Sequence, residues 1–286
     1  MKTVVLATCE EWPEPESDEP LREALSALGL EVVSAPWTSD FETFASADVV
    51  VMRACWDYYL SPDRFLRWLD RLEQASVRIM NPLATLRWNF DKRYLIELAE
   101  RGVRTIPTEV IHADNESARA GMNARGWEVA VRKPIHGQSG QFVEQLALSR
   151  SDWPEPRFEG PALLQAFQSD ISELGETLLV FFDGAFSHAL RRELPSGEWR
   201  SNSKYGARRV RVEVGRPVIE QARNVLDIAT TQTEVGVMPR YARIDGLVRD
   251  DTFTLMELEL IEPALGFELA PEAAGSFAEL IAGTLR

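Results

Sequence analysis

The chain has 286 residues, of which 45% are hydrophobic and 27% charged, and its 31 Lys and Arg against 45 Asp and Glu give a formal net charge of -14. This length predicts about two domains, and the composition excludes disordered and fibrous proteins. The acidic charge argues against a nucleic-acid partner, because binding the phosphate backbone needs clustered Lys and Arg.

Membrane and export signals are absent from the sequence. Its apolar runs are far shorter than the roughly 18 residues that a membrane-spanning helix needs, so we expect no membrane partner. The first run, residues 4–7, is followed by Glu10 and Glu11 rather than by a small-residue cleavage site. We therefore expect a cytoplasmic protein. Cys9 and Cys55 form no disulfide framework and have no zinc-site spacing to His, and the oligomeric state stays open.

Strands alternate with helices in the first part of the chain. The pattern predicts strands at residues 2–9, 31–35 and 48–54 and helices at 21–28 and 62–74. Such alternation favours a parallel sheet with helices on both faces. Ligands bind beyond the carboxyl ends of such strands, which makes Arg53, Trp56 and Asp57 candidates for binding a zwitterionic amino acid. The alternative for Trp56 is a place in the core.

The rest of the chain is typical of an α+β fold with antiparallel strand pairs. Asp183-Gly184 is a strong signal for a hairpin turn between two strands. Strands are predicted at residues 108–111, 128–133, 162–167, 177–182, 185–190, 241–248 and 253–260, and helices at 91–101, 217–230 and 277–285.

The most informative acidic residues lie on two late strands. Glu257 and Glu259 are two residues apart and share a strand face, and an antiparallel neighbour can bring Asp245 to the same space. Three carboxylates suit one or two Mg²⁺ ions that also hold phosphates. Arg243 lies on the face of Asp245 and can present a cation to a developing oxyanion. The alternative is that both glutamates form the solvated face of an amphipathic strand.

Lys133 ends a predicted strand shortly before the turn Gly137-Gln-Ser-Gly140. A lysine followed by backbone N–H groups in a glycine turn can bind phosphate oxygens. The alternative is an ordinary hairpin with a surface lysine. Neither common nucleotide-binding glycine motif occurs, and Lys92 alone indicates only a solvated helix residue.

Taken in order, these segments resemble the ATP-grasp carboxylate–amine ligases, in particular glutathione-synthetase-like proteins and cycloserine-forming cyclo-ligases. The matching segments are Asn81-Pro82, Trp88-Asn89-Phe90-Asp91-Lys92, Pro107-Thr108, Arg132-Lys133-Pro134, Gln165-Ala-Phe167, Gly175-Glu176-Thr177, Tyr241-Ala-Arg243-Ile-Asp245 and Glu257-Leu-Glu259-Leu-Ile-Glu262-Pro263, with Arg53-x-x-Trp56-Asp57-Tyr58 and Ser187-His188-Ala189 for the narrower likeness. The resemblance implies an N-terminal α/β domain at residues 1–85 and an ATP-grasp domain at 86–286, with lobes at about 86–162 and 163–286.

The resemblance also implies roles for individual residues. Arg243 would be the catalytic arginine that steadies the transition state. Lys92 and Lys133 would hold the ATP phosphates, Gln165, Ala166 and Phe167 the adenine, Glu176 the ribose, and Asp245, Glu257 and Glu259 the Mg²⁺. Relatives often have Asn at the position of Glu259, so this site would be more negative.

The implied activity is an ATP- and Mg²⁺-dependent ligation. A small, amino-acid-like carboxylate would become an acyl phosphate and react with an amine or amide-like nitrogen on the same molecule or on a second one, releasing ADP and phosphate. Two alternatives stay open, a non-catalytic ATP-binding module of the same fold and a phosphotransferase acting on an alcohol.

Substrate residues are predicted in a basic region that resembles the mobile loop of relatives. Around Tyr205 it contains Arg191, Arg192, Arg200, Lys204 and the run of residues 208–211. Relatives tend to have Gly-Gly where this chain has Gly206-Ala207. Its charge would suit a substrate carboxylate or phosphate. The alternative is a charged, solvated strand edge. His188 can contact substrate or be satisfied between strands.

Overall fold

The computed structural model describes residues 1–138 and 140–286, which form three β-sheets with helices packed against them. Ser139, in the predicted glycine turn, lies outside the described residues. In the described part of the chain, no helix has both the length and the apolar character needed to cross a membrane.

The first sheet is parallel, with the strand order β2-β1-β3. All four residues of its third strand are buried, because helices cover both faces. The elements of this unit are β1 (Thr3–Thr8), α1 (Glu19–Ala27), β2 (Glu31–Pro36), α2 (Glu42–Ala45), β3 (Val49–Met52) and α3 (Pro62–Gln74).

The second sheet has the order β4-β7-β5-β6 and is antiparallel throughout. Ala118 and Met122 of its helix α6 pack on one face of the sheet. The elements are α4 (Leu83–Phe90), α5 (Tyr94–Glu100), β4 (Thr108–His112), α6 (Asn115–Arg125), β5 (Val129–Pro134), β6 (Glu144–Ala147) and β7 (Pro161–Ala166). Sheet membership therefore changes after Ala166, while the lobe division at 162/163 stays a prediction.

The third sheet is also antiparallel, with the order β10-β9-β8-β11-β12. Helices α5 and α8 bury its outer face in the largest hydrophobic cluster. The elements are α7 (Ile171–Leu174), β8 (Glu176–Phe182), β9 (Ala185–Glu193), β10 (Arg208–Val212), α8 (Arg216–Gln232), β11 (Tyr241–Arg249), β12 (Thr252–Glu259) and the final helix α9 (Pro271–Gly283).

Several elements differ from the sequence predictions. The helix predicted at 91–101 is shorter, beginning at Tyr94, and α4 precedes it. Helix α6 was missed because its buried stripe is only Ala118 and Met122, too weak a periodic signal. Residues 208–211, predicted as part of a basic loop, form the edge strand β10 instead, which is the alternative that the sequence left open. The last helix begins at Pro271, before the predicted residue 277.

Candidate active site

A one-residue bulge gathers the acidic residues of β11 and β12. The turn Asp250-Asp251 joins these strands, and uninterrupted pairing from it would set Asp245 opposite Met256. The bulge shifts the register, so that Asp245 lies opposite Glu257. Because opposite residues of an antiparallel pair project from the same face, four charged side chains share one face of the sheet: Arg243, Asp245, Glu257 and Glu259.

A second bulge adds a cation to the same face. Uninterrupted pairing from the Asp183-Gly184 turn would set Arg191 opposite Glu176, but the register shifts by one residue at Val180 and places Arg192 there. Arg192 donates to Glu176 at 2.6 Å and lies 3.6 Å from Asp245. The sequence analysis placed both arginines in the basic region but chose only Arg191 as a substrate candidate. The sequence places Arg192 just after the second strand of a predicted hairpin, but only the bulge shows that its side chain lies on the face of the charged residues.

The charged groups on this face form one network. Arg243 donates to Asp245 at 2.8 Å and to Glu259 at 2.5 Å, and all three side chains are largely removed from water. Burial alone would lower the pKa of Arg243, but the charges of Asp245 and Glu259 outweigh it and raise that pKa, so the guanidinium stays charged. Lys92 forms an ion pair with Glu257.

The two predicted phosphate lysines converge. The backbone N–H of Lys92 donates to Ile135 O at 3.0 Å, which joins the segment after α4 to the end of β5. Burial, together with the nearby charge of Lys92, lowers the pKa of Lys133 to about 7. The Lys133 amino group donates to Gln165 Oε1 at 3.2 Å. Burial also lowers the pKa of Lys92, which nearby carboxylates partly offset.

The predicted nucleotide segment lies beside these lysines. Gln165 accepts from Lys133 and donates to Thr108 Oγ1 at 2.8 Å, so both the oxygen and the nitrogen of its side-chain amide are engaged. The backbone N–H groups of Ala166 and Phe167 donate to other strands and connections, and the ring of Phe167 packs edge-on against Trp199 at 5.9 Å. Glu176, predicted to bind ribose, is buried against Arg192. The roles in nucleotide binding stay predictions.

Five consecutive backbone carbonyls after β12 each accept a hydrogen bond from a side chain distant in sequence. This segment, residues 261–265, begins two residues after Glu259, and the five bonds hold it in one position beside the charged network. The pairs are Ile261 O with Tyr241 (2.7 Å), Glu262 O with Trp56 (3.1 Å), Pro263 O with Arg53 (3.0 Å), Ala264 O with Arg243 (3.0 Å) and Leu265 O with His188 (2.8 Å).

These contacts assign positioning roles to residues that the sequence suggested as substrate ligands. Arg53 is 1% exposed and also binds Asp18 at 2.8 Å, so its guanidinium is occupied by protein groups. Asp57 accepts from Trp37 Nε1 at 2.6 Å. His188 is buried, with its second ring nitrogen 2.9 Å from Ser187 Oγ. The structure does not bring Arg53 or His188 to the charged network as free ligands, because each already holds the 261–265 segment.

The other two predicted substrate residues, Arg191 and Tyr205, make none of the five bonds that hold the 261–265 segment. Arg191 projects from the opposite face of β9 to Arg192 and pairs with Glu193 at 3.1 Å. Tyr205 donates from its hydroxyl to Gly140 O at 3.1 Å, and the Arg200 guanidinium lies 3.7 Å from the centre of its ring. The predicted mobile loop and the glycine turn therefore meet at Tyr205.

The carboxylates fit Mg²⁺ by chemical type and by their shared face. In this structure they face cations instead: Asp245 and Glu259 face Arg243, and Glu257 faces Lys92. Within residues 1–138 and 140–286, no three His, Cys, Asp or Glu side chains lie close enough together to hold an ion. The ligand assignment stays a prediction.

Comparison with known proteins shows what this chain is similar to. A family model for the N-terminal domain of D-cycloserine synthetase DcsG matches residues 4–81. The cycloserine biosynthesis protein DcsG of Streptomyces lavendulae is 27% identical over 285 residues, covering 93% of both chains. A crystal structure of D-cycloserine synthetase DcsG superposes with a TM-score of 0.86 at 25% identity, covering 99% of this chain and 100% of that one.

More distant structures share the fold. The ATP-grasp ligase PsnB, complexed with a precursor variant, Mg and ADP, has a TM-score of 0.65 at 17% identity, covering 99% of this chain and 98% of its own. D-alanine–D-alanine ligase from Bacillus anthracis, complexed with ATP, has a TM-score of 0.70 at 14% identity, covering 100% and 97%. The cofactors expected from the sequence, ATP and Mg²⁺, are thus those bound in structures of this fold.

Fold and site together define the class of this protein. As the sequence resemblance implied, the chain is homologous to ATP-grasp ligases, which are enzymes that form carbon–nitrogen bonds. Within that class it is homologous to D-cycloserine synthetase DcsG along nearly its whole length.

Proposed function

We propose that the protein phosphorylates the carboxylate of a small amino-acid-like substrate with ATP and then joins it to a nitrogen of the same molecule, closing a ring and releasing ADP and phosphate. The observation that carries this proposal is the convergence of cations and carboxylates beside the third sheet. The cations are Lys92, Lys133, Arg192 and Arg243, and the carboxylates are Glu176, Asp245, Glu257 and Glu259.

The first step follows from the chemistry of a carboxylate, which is too electron-rich for attack by a nitrogen. Taking the γ-phosphoryl group of ATP turns it into an acyl phosphate with a good leaving group. Lys92 and Lys133 are suited to bind the transferred phosphate oxygens, because a bound phosphate favours the compact ammonium form that burial otherwise disfavours in both. Mg²⁺ held by Asp245, Glu257 and Glu259 would offset phosphate charge.

Arg243 is suited to the second step, in which nitrogen attack creates a tetrahedral oxyanion. Its guanidinium is held by Asp245, Glu259 and the carbonyl of Ala264, so little reorganisation is needed when charge develops. It remains charged, because those two carboxylates raise its pKa. A fixed cation of this kind stabilises the oxyanion more than one that must first be ordered.

Ring closure is supported by the likeness to D-cycloserine synthetase, which spans both chains. D-cycloserine contains a carbonyl bonded to a nitrogen that is itself attached to the serine side-chain oxygen. The bond formed last can therefore join a carboxylate to a nitrogen already in the same molecule. Because both groups belong to one molecule, no collision between two substrates is needed. A pocket that holds them in the reactive orientation lowers the barrier further.

The direct test incubates the protein with ATP, Mg²⁺ and β-aminooxy-D-alanine, the open-chain form of D-cycloserine. We expect ADP, phosphate and D-cycloserine in equal amounts. AMP and pyrophosphate as products would contradict the proposal, and phosphate found on the organic product would identify a phosphotransferase. Phosphate release with other amino acids but without ring formation would overturn ring closure alone.

Two substitutions test the site itself. Lys133→Ala removes an ammonium group that would bind phosphate, and Glu257→Ala removes a carboxylate of the network. Each substitution should therefore lower turnover by about a hundredfold or more. The matched control is Arg216→Ala, since Arg216 is 89% exposed at the remote start of α8. Retention of at least half the wild-type turnover in Lys133→Ala would rule out the assigned role.

A further inference from the structure

Glu262 carries a buried carboxylate that the reaction described above does not use. Its side chain is 2% exposed, and neither carboxylate oxygen has a hydrogen-bond partner among the described residues. Buried polar groups are almost always paired, so each exception needs a reason. The backbone of Glu262 is held by Trp56, which fixes where the side chain begins.

The carboxylate faces a small cavity next to the charged network. Lys92, Glu257 and Glu259 line one part of it, and the rings of Tyr58, Phe90 and Tyr94 line another. The free space admits about one water-sized group. An ammonium group has that size, and aromatic walls favour an organic cation.

The charges around the cavity show which part of a substrate belongs there. The cations of the site suit phosphate and carboxylate, whereas Glu262 offers neither of them a positive charge. Burial and the charge of Glu259 raise the pKa of Glu262, and a cation bound beside it would favour its charged form. Lys92 is paired with Glu257, which leaves Glu262 available. A Mg²⁺ ion prefers several oxygen ligands and retained waters, and Glu262 belongs to no group of three metal-binding side chains in the described ranges.

We propose that Glu262 binds the ammonium group of an amino-acid substrate and so selects α-amino acids over analogues that lack the amine. This inference rests on the proposed function, which it deepens by naming the substrate class. The carboxylate accepts hydrogen bonds from the ammonium in place of the missing partners, while the substrate carboxylate points toward Arg243 and the lysines.

The test compares two ligands that differ only in the amine, D-cycloserine and isoxazolidin-3-one. Binding to the wild-type protein is measured by calorimetry with ADP and Mg²⁺ present. We expect D-cycloserine to bind at least about tenfold more tightly, because an ion pair in a dry cavity is strong. Glu262→Gln should remove this preference without changing the affinity for ADP and Mg²⁺.

Two variants keep the result interpretable. Glu262→Asp retains the charge and should retain a weakened preference, and Glu279→Gln changes an exposed glutamate of α9 and should have no effect. The melting temperature of Glu262→Gln should not fall, because no hydrogen bond in the described structure is lost.

Several outcomes would overturn the inference. Equal or absent binding of the two ligands to the wild-type protein would do so, as would an unchanged preference in folded Glu262→Gln. Weaker ADP and Mg²⁺ binding in Glu262→Gln, with both ligands equally affected, would assign the carboxylate to the metal instead. Each can occur while β-aminooxy-D-alanine is still cyclised, so failure of this inference and failure of the proposed function are distinguishable.

Discussion

At the scale of single residues, Lys133 has the most informative environment. Burial and the charge of Lys92 lower its pKa to about 7, and the charge of Glu176 only partly opposes this. A lysine that is neutral near pH 8 still becomes charged when a phosphate reaches it. Nucleotide binding should therefore be coupled to protonation.

Lys133 predicts the direction of that coupling. Bound phosphate raises the pKa of Lys133 above 7, so between pH 7 and the raised value binding takes up about one proton and affinity falls as pH rises. Calorimetry of ATP binding at pH 8, in buffers of different ionisation enthalpy, measures the uptake. Lys133→Arg keeps the charge without titrating and should abolish it. An unchanged uptake in that variant would assign the proton to another group.

At the scale of elements, the β-bulges decide the site. Gly246 stands where the register of β11 and β12 shifts, and a Cβ added to it would lie about 2.5 Å from the ring of Phe253. No real Cβ atom packs so closely, so only glycine allows the strands to keep this register. The free edge of β12 is covered in turn by Asn89, which donates to Leu258 O and accepts from Leu260 N, both at 2.8 Å.

Gly246→Ala tests whether the register matters for activity. The added methyl forces Phe253 or the strand to move, which should lower the unfolding free energy by about 1–3 kcal/mol and displace the carboxylates, so that turnover falls sharply. The control is Gly275→Ala within α9, where an added Cβ meets nothing within 4 Å. It should raise stability by about 0.5–1 kcal/mol. Urea unfolding measures the stability of both variants, and turnover measures their activity. Normal turnover in Gly246→Ala would refute the role of the bulge.

At the scale of the whole molecule, the first and last helices pack against each other. Helix α9 packs on α1 and on one face of the first sheet, through Phe277 among others. Arg53, just after β3, binds both Asp18 and Pro263 O, so the first unit is tied to the 261–265 segment beside the site. The unit boundaries at residue 85, the oligomeric state and a cytoplasmic location stay predictions.

Asp18→Ala tests this connection. It leaves Arg53 buried without its carboxylate, which should lower the unfolding free energy by about 3–5 kcal/mol. Glu16→Ala, two residues away and exposed, should change it by less than about 0.5 kcal/mol. Chemical denaturation of both variants measures the difference. Equal stabilities would show that the ion pair contributes nothing.

The sequence by itself determined most of the strands and helices in their order, because alternation and helical spacing follow from burial of one face or both. The exceptions include α4, α6 and β10. It also supplied the charged residues in the order shared with ATP-grasp ligases, from Lys92 to Glu259. The prediction that Asp245 and Glu257 share a face is confirmed by their register.

Only the tertiary structure decided which side chains meet. Strand side chains alternate with a period of two, so one inserted residue moves a whole set to the other face, and Arg192 rather than Arg191 reaches the site. The partners of Arg53 and His188 are carbonyls about 210 and 77 residues away in sequence. Such pairs leave no local signal, because they depend on where the packed sheets bring distant backbone together.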